Sequence, residues 1–315
     1  MTHQPDLVSL GSTDLRISPL GIGTWAWGDT MIWGYGRGGY NDADLQQAFQ
    51  VSRSAGINFF DTAEIYGWGR SERMLGGFAR PDVGAVIVAT KFFPYPWRLG
   101  RPSLPKALRA SLDRLGMERV DLYQVHWPYP PVPIETWMAG LSEAVGAGLA
   151  RAVGVSNYNA EQTRRAHAAL AEHGMPLASN QIHYNLLHRQ PERNGLLDAC
   201  RELNVRVIAY SPLAMGLLTG KYTPENPLPG LRGRRYGRAH VAQAQPLVAK
   251  LREIGHAYGG KTPAQVALNW VMCKGAVPIP GAKNARQAEE NTGALGWRLA
   301  DDEVAALDAA SNPLP

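Results

Sequence analysis

Short apolar runs alternate with longer helix-like stretches over most of the chain. The runs that predict strands are residues 20–23, 57–61, 85–91, 120–126, 150–157, 177–185, 205–212 and 276–281. The stretches that predict helices are residues 42–56, 71–79, 103–116, 135–148, 159–174, 190–204 and 301–311. Strands that alternate with helices of this length predict a parallel sheet. Eight such strands in one chain predict an α/β fold, a closed (β/α)8 TIM barrel.

The two ends of the chain add a hairpin and a helix to this barrel. Residues 7–20 alternate around the turn-rich tetrad Gly11–Asp14, a pattern that predicts an N-terminal β-hairpin. Residues 301–311 predict a C-terminal helix. The sequence has no internal repeat, and barrels of roughly 250 residues fold as one unit. We therefore expect residues 1–315 to form a single domain.

A doubly wound sheet is the main alternative fold. Gly21, Gly23 and Ala26 match the pattern G-x-G-x-x-A after a predicted strand. That fingerprint requires a helix that opens on the glycines. Residues 27–39 are rich in Gly and Trp and lack a helical apolar period, so we reject a dinucleotide-binding turn here.

Polar residues stand at or just past the ends of three consecutive predicted strands. Asp61 is the last residue of the strand predicted at 57–61, and Tyr66 follows that strand. Lys91 ends the next strand, and His126 ends the third. The carboxyl ends of the strands meet on one face of a closed barrel. We therefore expect these four side chains to converge.

The four residue types suit the reduction of a carbonyl compound. A free tyrosine has a pKa near 10, and a neighbouring ammonium such as that of Lys91 lowers it. Asp61 would hold Lys91 in place and keep it charged, and His126 could hydrogen-bond a substrate carbonyl. Taken singly, each residue also has an ordinary structural role, and it is the joint placement that favours a catalytic site.

Composition and charge exclude several other classes. The chain is 45% hydrophobic and 19% charged, as is usual for globular enzymes. Part of the net charge of +5 lies in an arginine run at residues 232–238. Basic and aromatic residues do not alternate elsewhere, so we expect no nucleic-acid partner. No nucleophile elbow or phosphate-binding lysine motif is present.

The remaining bulk features indicate a cytoplasmic enzyme without a metal. Cys200 and Cys273 are too few for a disulfide framework, and no Cys/His cluster suggests zinc. The first residues show no secretory signal, and no apolar stretch approaches the roughly 20 residues of a membrane helix. We expect no membrane partner.

Seven motifs carry a family resemblance. In chain order they read DTAEIYG, ATKF, DLYQVHWP, GVSN, SNQIHYN, AYSPLAMGLLTGKY and IPGAKN. In this order and at these spacings the chain resembles the aldo-keto reductases from about Leu7 to Asp308. The IPGA box is similar to that of the bacterial and plant-plastid branch rather than to the mammalian IPKS type.

The resemblance implies an NADP-dependent reductase that converts aldehydes or ketones into alcohols. It makes Tyr66 the general acid and Asp61, Lys91 and His126 its supporting residues. NADPH would lie across the carboxyl-end face of the barrel. The implied cofactor-binding residues are Ser156, Asn157 and Gln181 for the carboxamide, Tyr210 for ring stacking, Ser211, Leu213 and Gly216 for the pyrophosphate, and Gly281, Lys283, Gln287, Glu290 and Asn291 for the adenosine end.

Two cofactor questions stay open in the sequence. Lys283 suits a 2′-phosphate, but Gln287 stands where the mammalian type carries an arginine. NADPH is therefore expected and NADH is the alternative. The arginine run at 232–238 could fold over the cofactor phosphates or form a solvated segment, and the sequence favours neither.

Aromatic residues in the predicted strand–helix loops indicate the substrate. Trp25, Trp97 and Trp127 lie in loops that would rim the mouth of the barrel. We expect them to line an apolar pocket for a small-molecule carbonyl substrate, such as an aromatic or medium aliphatic aldehyde.

Two other functions are compatible with the fold. A redox-sensing regulatory subunit resembling the potassium-channel β-subunits would keep the same four residues. A lyase or isomerase on the same barrel would need a metal or a phosphate-binding glycine turn, and neither is visible. The oligomeric state is open, with a monomer as the family default.

Overall fold

The structure, a computed structural model, describes residues 5–37, 39–82 and 84–311, without the side chains of Leu231 and Arg235. The strands in these ranges are β1 (Val8–Ser9), β2 (Arg16–Ile17), β3 (Ile22–Gly23), β4 (Phe59–Asp61), β5 (Ile87–Phe92), β6 (Val120–Val125), β7 (Ala150–Ser156), β8 (Leu177–His183), β9 (Arg206–Tyr210) and β10 (Val277–Ile279). The α-helices are α1 (Asp42–Ser54), α2 (Arg70–Ala79), α3 (Ser103–Leu115), α4 (Ile134–Gly146), α5 (Ala160–Ala171), α6 (Gln190–Arg193), α7 (Leu196–Glu202), α8 (Gly230–Arg235), α9 (Arg238–Ala257), α10 (Pro263–Cys273), α11 (Ala285–Thr292) and α12 (Asp301–Ser311).

Strands β3 to β10 form one parallel eight-stranded sheet in chain order. The sheet closes where its first and last strands meet. The backbone N–H of Gly23 donates to the carbonyl oxygen of Pro280 at 3.1 Å, and Gly23 forms a parallel bridge with Gly281. The structure therefore confirms the predicted (β/α)8 barrel.

Glycine at this seam allows the two strands to approach each other. A Cβ atom on Gly23 would lie 2.8 Å from the carbonyl oxygen of Ile279, which is too close for any side chain. Helix α1 begins only at Asp42. The glycines of the G-x-G-x-x-A match thus serve barrel closure rather than a nucleotide turn.

The interior of the barrel is apolar at one end and polar at the other. Antiparallel β1 and β2 form the predicted N-terminal hairpin. Leu15 and Ile17 of this region pack with Phe59, Ala89 and Leu122 of the barrel strands. Side chains two residues apart share one face of a strand. The residues two positions further along β4, β5 and β6 are therefore the polar ones at the open end.

The structure departs from the predicted elements in three places. The helix expected at 190–204 is two helices, because Asn194 and Gly195 interrupt it and Gly195 has a φ of 75°. Helices α8, α9 and α10 lie between β9 and β10, where the sequence pattern assigned no element. Helix α11 follows β10 and was not predicted either. Within the described ranges, no helix has both the length and the apolar character needed to cross a membrane.

Candidate active site

The four predicted catalytic residues converge at the open end of the barrel. Lys91 lies in β5 with its ammonium against the carboxylate of Asp61, which ends β4. The same ammonium lies 3.4 Å from the hydroxyl oxygen of Tyr66. The rings of Tyr66 and His126 meet edge to face, with centroids 5.8 Å apart. The arrangement joins a carboxylate, an ammonium and a phenol in one continuous chain of hydrogen bonds.

Two amide side chains complete the environment of Asp61. Gln124 and Gln181 donate to the second carboxylate oxygen at 3.1 Å and 2.8 Å. Gln124 and Gln181 are buried together with Asp61. Their amides supply the hydrogen bonds that a buried carboxylate would otherwise make with water. Sequence reasoning missed Gln124. A signal was available, because Gln124 is polar within a buried strand and lies two residues before His126 on the same face.

Burial alters the expected acidity of the phenol. Burial raises the pKa of Tyr66 above its ordinary value of 10, and this effect outweighs Lys91, which lowers it. The sequence analysis expected a lowered pKa because it considered the ammonium alone. Burial lowers the pKa of Lys91, but the combined effect of Asp61 and Tyr66, which raise it, is larger. The pKa of Lys91 is therefore raised overall, and Lys91 stays charged.

His126 is held as a neutral imidazole. Burial, and secondly the ammonium of Lys91, keep the pKa of His126 well below its ordinary 6.5. Its Nδ1 atom is buried and has no hydrogen-bond partner among the described residues. A neutral imidazole carries one N–H, and a buried N–H without an acceptor is costly. The N–H is therefore expected on Nε2, with Nδ1 unprotonated.

A second network lies beside the first. The Ser156 hydroxyl donates to the carbonyl oxygen of Gln181 at 2.8 Å. The Asn157 amide donates to the carbonyl oxygen of His126 at 3.0 Å and accepts from the Tyr210 hydroxyl at 2.9 Å. All five side chains line one cavity of about 740 Å³. The predicted carboxamide and stacking residues thus lie next to the group formed by Asp61, Tyr66, Lys91 and His126.

Tyr210 is supported by two histidine rings that the sequence analysis did not include. The ring of Tyr210 lies parallel to that of His183, with centroids 5.3 Å apart. His183 in turn stacks on His188 at 4.1 Å. The two histidine rings fix the plane of the Tyr210 ring.

The loop after β9 has the backbone expected of an anion-binding segment. Ser211, Ala214 and Met215 have φ angles of 51°, 48° and 55°, and Gly216 has 107°. Left-handed residues of this kind occur in anion-binding loops. Here the N–H groups of Ala214 and Gly216 donate to the carbonyl oxygens of Ser211 and Leu213. Ser211, Leu213 and Gly216, the residues that the family resemblance assigns to the pyrophosphate, line the cavity.

One part of the cavity, next to this loop, is basic, and Arg232 there donates to the carbonyl oxygen of Met215. The ammonium of Lys283 lies over the rings of Trp33 and Tyr40 at 5.5 Å and 5.1 Å. Burial lowers the pKa of Lys283, and the positive charges of Arg232 and Lys221 lower it further. Such a concentration of cations is stabilised by a bound anion.

The other predicted adenosine residues surround Lys283. Gln287 accepts from the backbone N–H of Lys283 at 3.0 Å, and Asn291 donates to the carbonyl oxygen of Gly281 at 3.2 Å. These residues and Glu290 line the cavity.

The aromatic residues divide into two groups. Trp25 and Trp127 line the cavity, and the ring of Trp25 lies 6.4 Å from that of Tyr66. Trp97 lies outside the lining, is 73% exposed and stacks on Tyr95 at 4.7 Å. The placement of Trp97 differs from the expected pocket position because its loop turns the indole outward. Phe93 lines the cavity instead.

The arginine run at 232–238 forms α8 and the start of α9. Arg232 lines the cavity, donates to the carbonyl oxygen of Met215 at 3.3 Å and lies 5.0 Å from the ring of Trp33. Arg234 and Arg238 are exposed. The side chain of Arg235 lies outside the described part of the chain. One arginine of the run therefore faces the cavity and two face water.

The residues present fit a nicotinamide dinucleotide phosphate. The cavity has the volume of a ligand site. Its basic end contains Lys221, Arg232 and Lys283, and the left-handed loop at Ser211–Gly216 lies along its wall. Cations of this kind bind phosphates, and loops with left-handed residues occur at anion sites.

Known proteins resemble this chain over nearly its whole length. A model of the Aldo/keto reductase family matches residues 19–312. The protein described as pyridoxal reductase, chloroplastic, from Arabidopsis thaliana is 44% identical over 314 residues, covering 96% of this chain and 85% of that protein.

Solved structures share the barrel. The glycerol dehydrogenase of Gluconobacter oxydans superposes with a TM-score of 0.85 at 29% identity, over 98% of this chain and 96% of that one. An aldo-keto reductase of Klebsiella pneumoniae, solved in complex with NADPH, gives a TM-score of 0.77 at 26% identity, over 99% and 96% of the two chains.

Proposed function

Because the chain belongs to the aldo/keto reductase family, we propose that it reduces aldehydes or ketones to alcohols with NADPH, and that Tyr66 donates the proton. The observation that carries this proposal is the contact of the Lys91 ammonium with both the Tyr66 hydroxyl and the Asp61 carboxylate. A charged group held beside the Tyr66 hydroxyl supports the proposal that this phenol loses a proton.

The residues of the chain divide the proton chemistry between them. Bound NADPH supplies the hydride that the carbonyl carbon receives. The Tyr66 hydroxyl gives its proton to the carbonyl oxygen, which becomes the alcohol. The phenolate left behind is stabilised by the ammonium of Lys91, and Asp61 keeps that ammonium in place. A solvent proton then restores the phenol.

His126 orients the carbonyl in this proposal. A neutral imidazole with its N–H on Nε2 can donate one hydrogen bond to the substrate oxygen. The low pKa of His126 keeps it from competing with Tyr66 as a proton donor near neutral pH. The two groups therefore have separate roles, and Tyr66 is the acid.

The cofactor would be held along the cavity. Ser156, Asn157 and Gln181 suit the carboxamide, and Tyr210 offers a ring to the nicotinamide. Ser211, Leu213 and Gly216 suit the pyrophosphate. Lys283, with Gly281, Gln287, Glu290 and Asn291 around it, suits the 2′-phosphate and the adenosine, and this favours NADPH over NADH.

The aromatic wall favours planar aldehydes. Trp25, Phe93 and Trp127 line the cavity beside Tyr66 and His126, and flat rings stack well on such walls. The relative described as a pyridoxal reductase is named for an aromatic aldehyde. We therefore include pyridoxal with benzaldehyde among the proposed substrates.

Cofactor titration followed by turnover tests the proposal. We expect NADPH to bind with a change in its fluorescence, and absorbance at 340 nm to fall when benzaldehyde or pyridoxal is added. Tight binding without turnover on any aldehyde would favour the regulatory alternative. Absence of NADPH binding would exclude both functions.

Three further expectations stay predictions. The single domain and the monomer follow from the family barrel, and neither bears on the chemistry. The cytoplasmic location rests on the sequence pattern, while the Arabidopsis relative is described as chloroplastic.

A further inference from the structure

A partly buried ion pair contacts the backbone of Phe93, a residue that lines the cavity. Glu64 stands between Asp61 and Tyr66 in the chain, and Arg98 lies in the loop between β5 and α3. Arg98 donates to both oxygens of Glu64, at 2.5 Å and 3.0 Å. The two side chains are only 18% and 8% exposed. A two-point contact of this kind fixes orientation as well as distance.

The same two side chains hold the backbone of Phe93. The N–H of Phe93 donates to Glu64 at 2.6 Å, and Arg98 donates to the carbonyl oxygen of Phe93 at 2.7 Å. The guanidinium also lies 4.8 Å from the ring of Phe92 and 5.0 Å from that of Tyr95. Both backbone polar groups of Phe93, its N–H and its carbonyl oxygen, are therefore hydrogen-bonded to this ion pair. Trp97, next to Arg98, is exposed to water.

The side chain of Phe93 packs on the imidazole that faces the substrate. Its ring meets His126 edge to face, with centroids 5.7 Å apart, and His126 contacts Tyr66 on another side. The Nδ1 atom of His126 has no hydrogen-bond partner among the described residues. No side-chain hydrogen bond at Nδ1 sets the rotation of this ring. The rotation of the His126 ring is set instead by its packing against Phe93 and Tyr66.

We propose that Glu64 and Arg98 are positioning residues for carbonyl reduction: they hold Phe93 against His126, and so fix both the imidazole and the wall that selects aromatic substrates. This inference rests on the proposed function, since the reaction it serves is that of Tyr66. Neither residue touches the substrate. Their effect reaches the reaction through Phe93.

Substrate selectivity gives the kinetic test. We expect Glu64→Ala and Arg98→Ala to lower the ratio of kcat/KM for benzaldehyde to that for propanal by about tenfold. Glu64→Gln should fall between them and the wild type, because it keeps an acceptor for Phe93 but loses the charge. The NADPH Kd should stay within about twofold. The ratio does not depend on the fraction of folded enzyme, so a general loss of stability would leave it unchanged.

Arg53→Ala is the matched control. Arg53 also contacts a carboxylate, that of Asp82 at 3.3 Å, and a backbone carbonyl, that of Ile57 at 2.7 Å. It lies outside the lining of the cavity. Its substitution should leave the selectivity ratio at the wild-type value. An equal fall in this control would overturn the proposal.

A measurement without turnover separates this inference from the proposed function. In protein labelled with 15N-histidine, the His126 ring signals are assigned by their loss in His126→Gln. We expect them to move in Glu64→Ala and Arg98→Ala and to stay in place in Arg53→Ala. If the wild type reduces no aldehyde, the proposed function fails. The His126 signals alone then test whether Glu64 and Arg98 position the imidazole.

Unchanged His126 signals together with an unchanged selectivity ratio would overturn the proposal. Should an alanine variant fail to fold, Arg98→Lys decides in its place. An ammonium keeps the charge but cannot bind both Glu64 oxygens in the planar fork of a guanidinium. We expect Arg98→Lys to lower the ratio and move the signals, and wild-type behaviour in both would count against the proposal.

Discussion

Replacing Lys91 by methionine should separate the structural role of its charge from the catalytic one. The Lys91 side chain is fully buried and the Asp61 side chain is 2% exposed. In Lys91→Met, Asp61 keeps the amides of Gln124 and Gln181, but no positive charge remains beside it. Removing one partner of a buried ion pair costs about 3–5 kcal/mol. We expect the free energy of unfolding to fall by that amount.

The double variant Asp61→Asn/Lys91→Met should recover part of this loss. It leaves no unpaired charge, although the carbonyl oxygen of Thr62 still loses the donor that Lys91 supplies at 2.9 Å. An unsatisfied buried acceptor costs about 1–3 kcal/mol. The double variant should therefore be about 2 kcal/mol more stable than the single one. Reductase activity should stay at least about a hundredfold low in both, because neither has an ammonium at Tyr66.

Urea unfolding at constant pH, followed by tryptophan fluorescence, measures the first effect. Buried Trp27, Trp137 and Trp270 report loss of the core. NADPH oxidation at 340 nm measures the second effect on the same samples. Equal instability of the single and double variants would refute the reasoning, since the loss would then come from packing rather than from an unpaired carboxylate.

Three further predictions concern the acid, the cofactor and the imidazole. Tyr66→Phe should lower kcat by roughly 10²–10⁴-fold with the NADPH Kd nearly unchanged, and a normal kcat would remove Tyr66 as the acid. Lys283→Glu should raise the NADPH Kd at least about tenfold but the NADH Kd far less; Lys261→Glu, which removes a lysine 5.6 Å from a tryptophan ring outside the cavity, should change neither. An equal loss for both cofactors in Lys283→Glu would place the phosphate elsewhere. Because the pKa of His126 is well below 6.5 in the folded protein, the unfolded chain takes up this proton first as pH falls, so stability is lost below about pH 6.5. His126→Gln should make the urea midpoint less dependent on pH in that range, and an unchanged dependence would contradict the buried neutral state.

The convergence of the candidate catalytic residues could be predicted because it follows from strand periodicity. Asp61, Lys91 and His126 stand at the ends of predicted strands, and a closed parallel sheet brings such ends together. Gln124 could have been predicted by the same rule. Its alternate position in a buried strand places it on the face of His126.

Features that depend on distant contacts could not be predicted. Trp97 faces water in a loop where its neighbour Arg98 binds Glu64, 34 residues away in sequence. The raised pKa of Tyr66 follows from burial, and the spacing of residues along the sequence does not show how deeply this side chain is buried. Helix α9 was missed because Pro246 lies inside it, and an internal proline is typical of a helix end.

The seam of the barrel has a consequence for the order of folding. The indole N–H of Trp27 donates across it to the carbonyl oxygen of Ala282, 255 residues away in sequence. Contacts of such long range carry the largest loop-closure cost, and they slow the folding of a topology that depends on them. Lys283 and Asn291, the proposed adenosine residues, follow that seam directly. A nascent chain therefore cannot assemble this cofactor site until its last barrel strand has emerged and docked on its first.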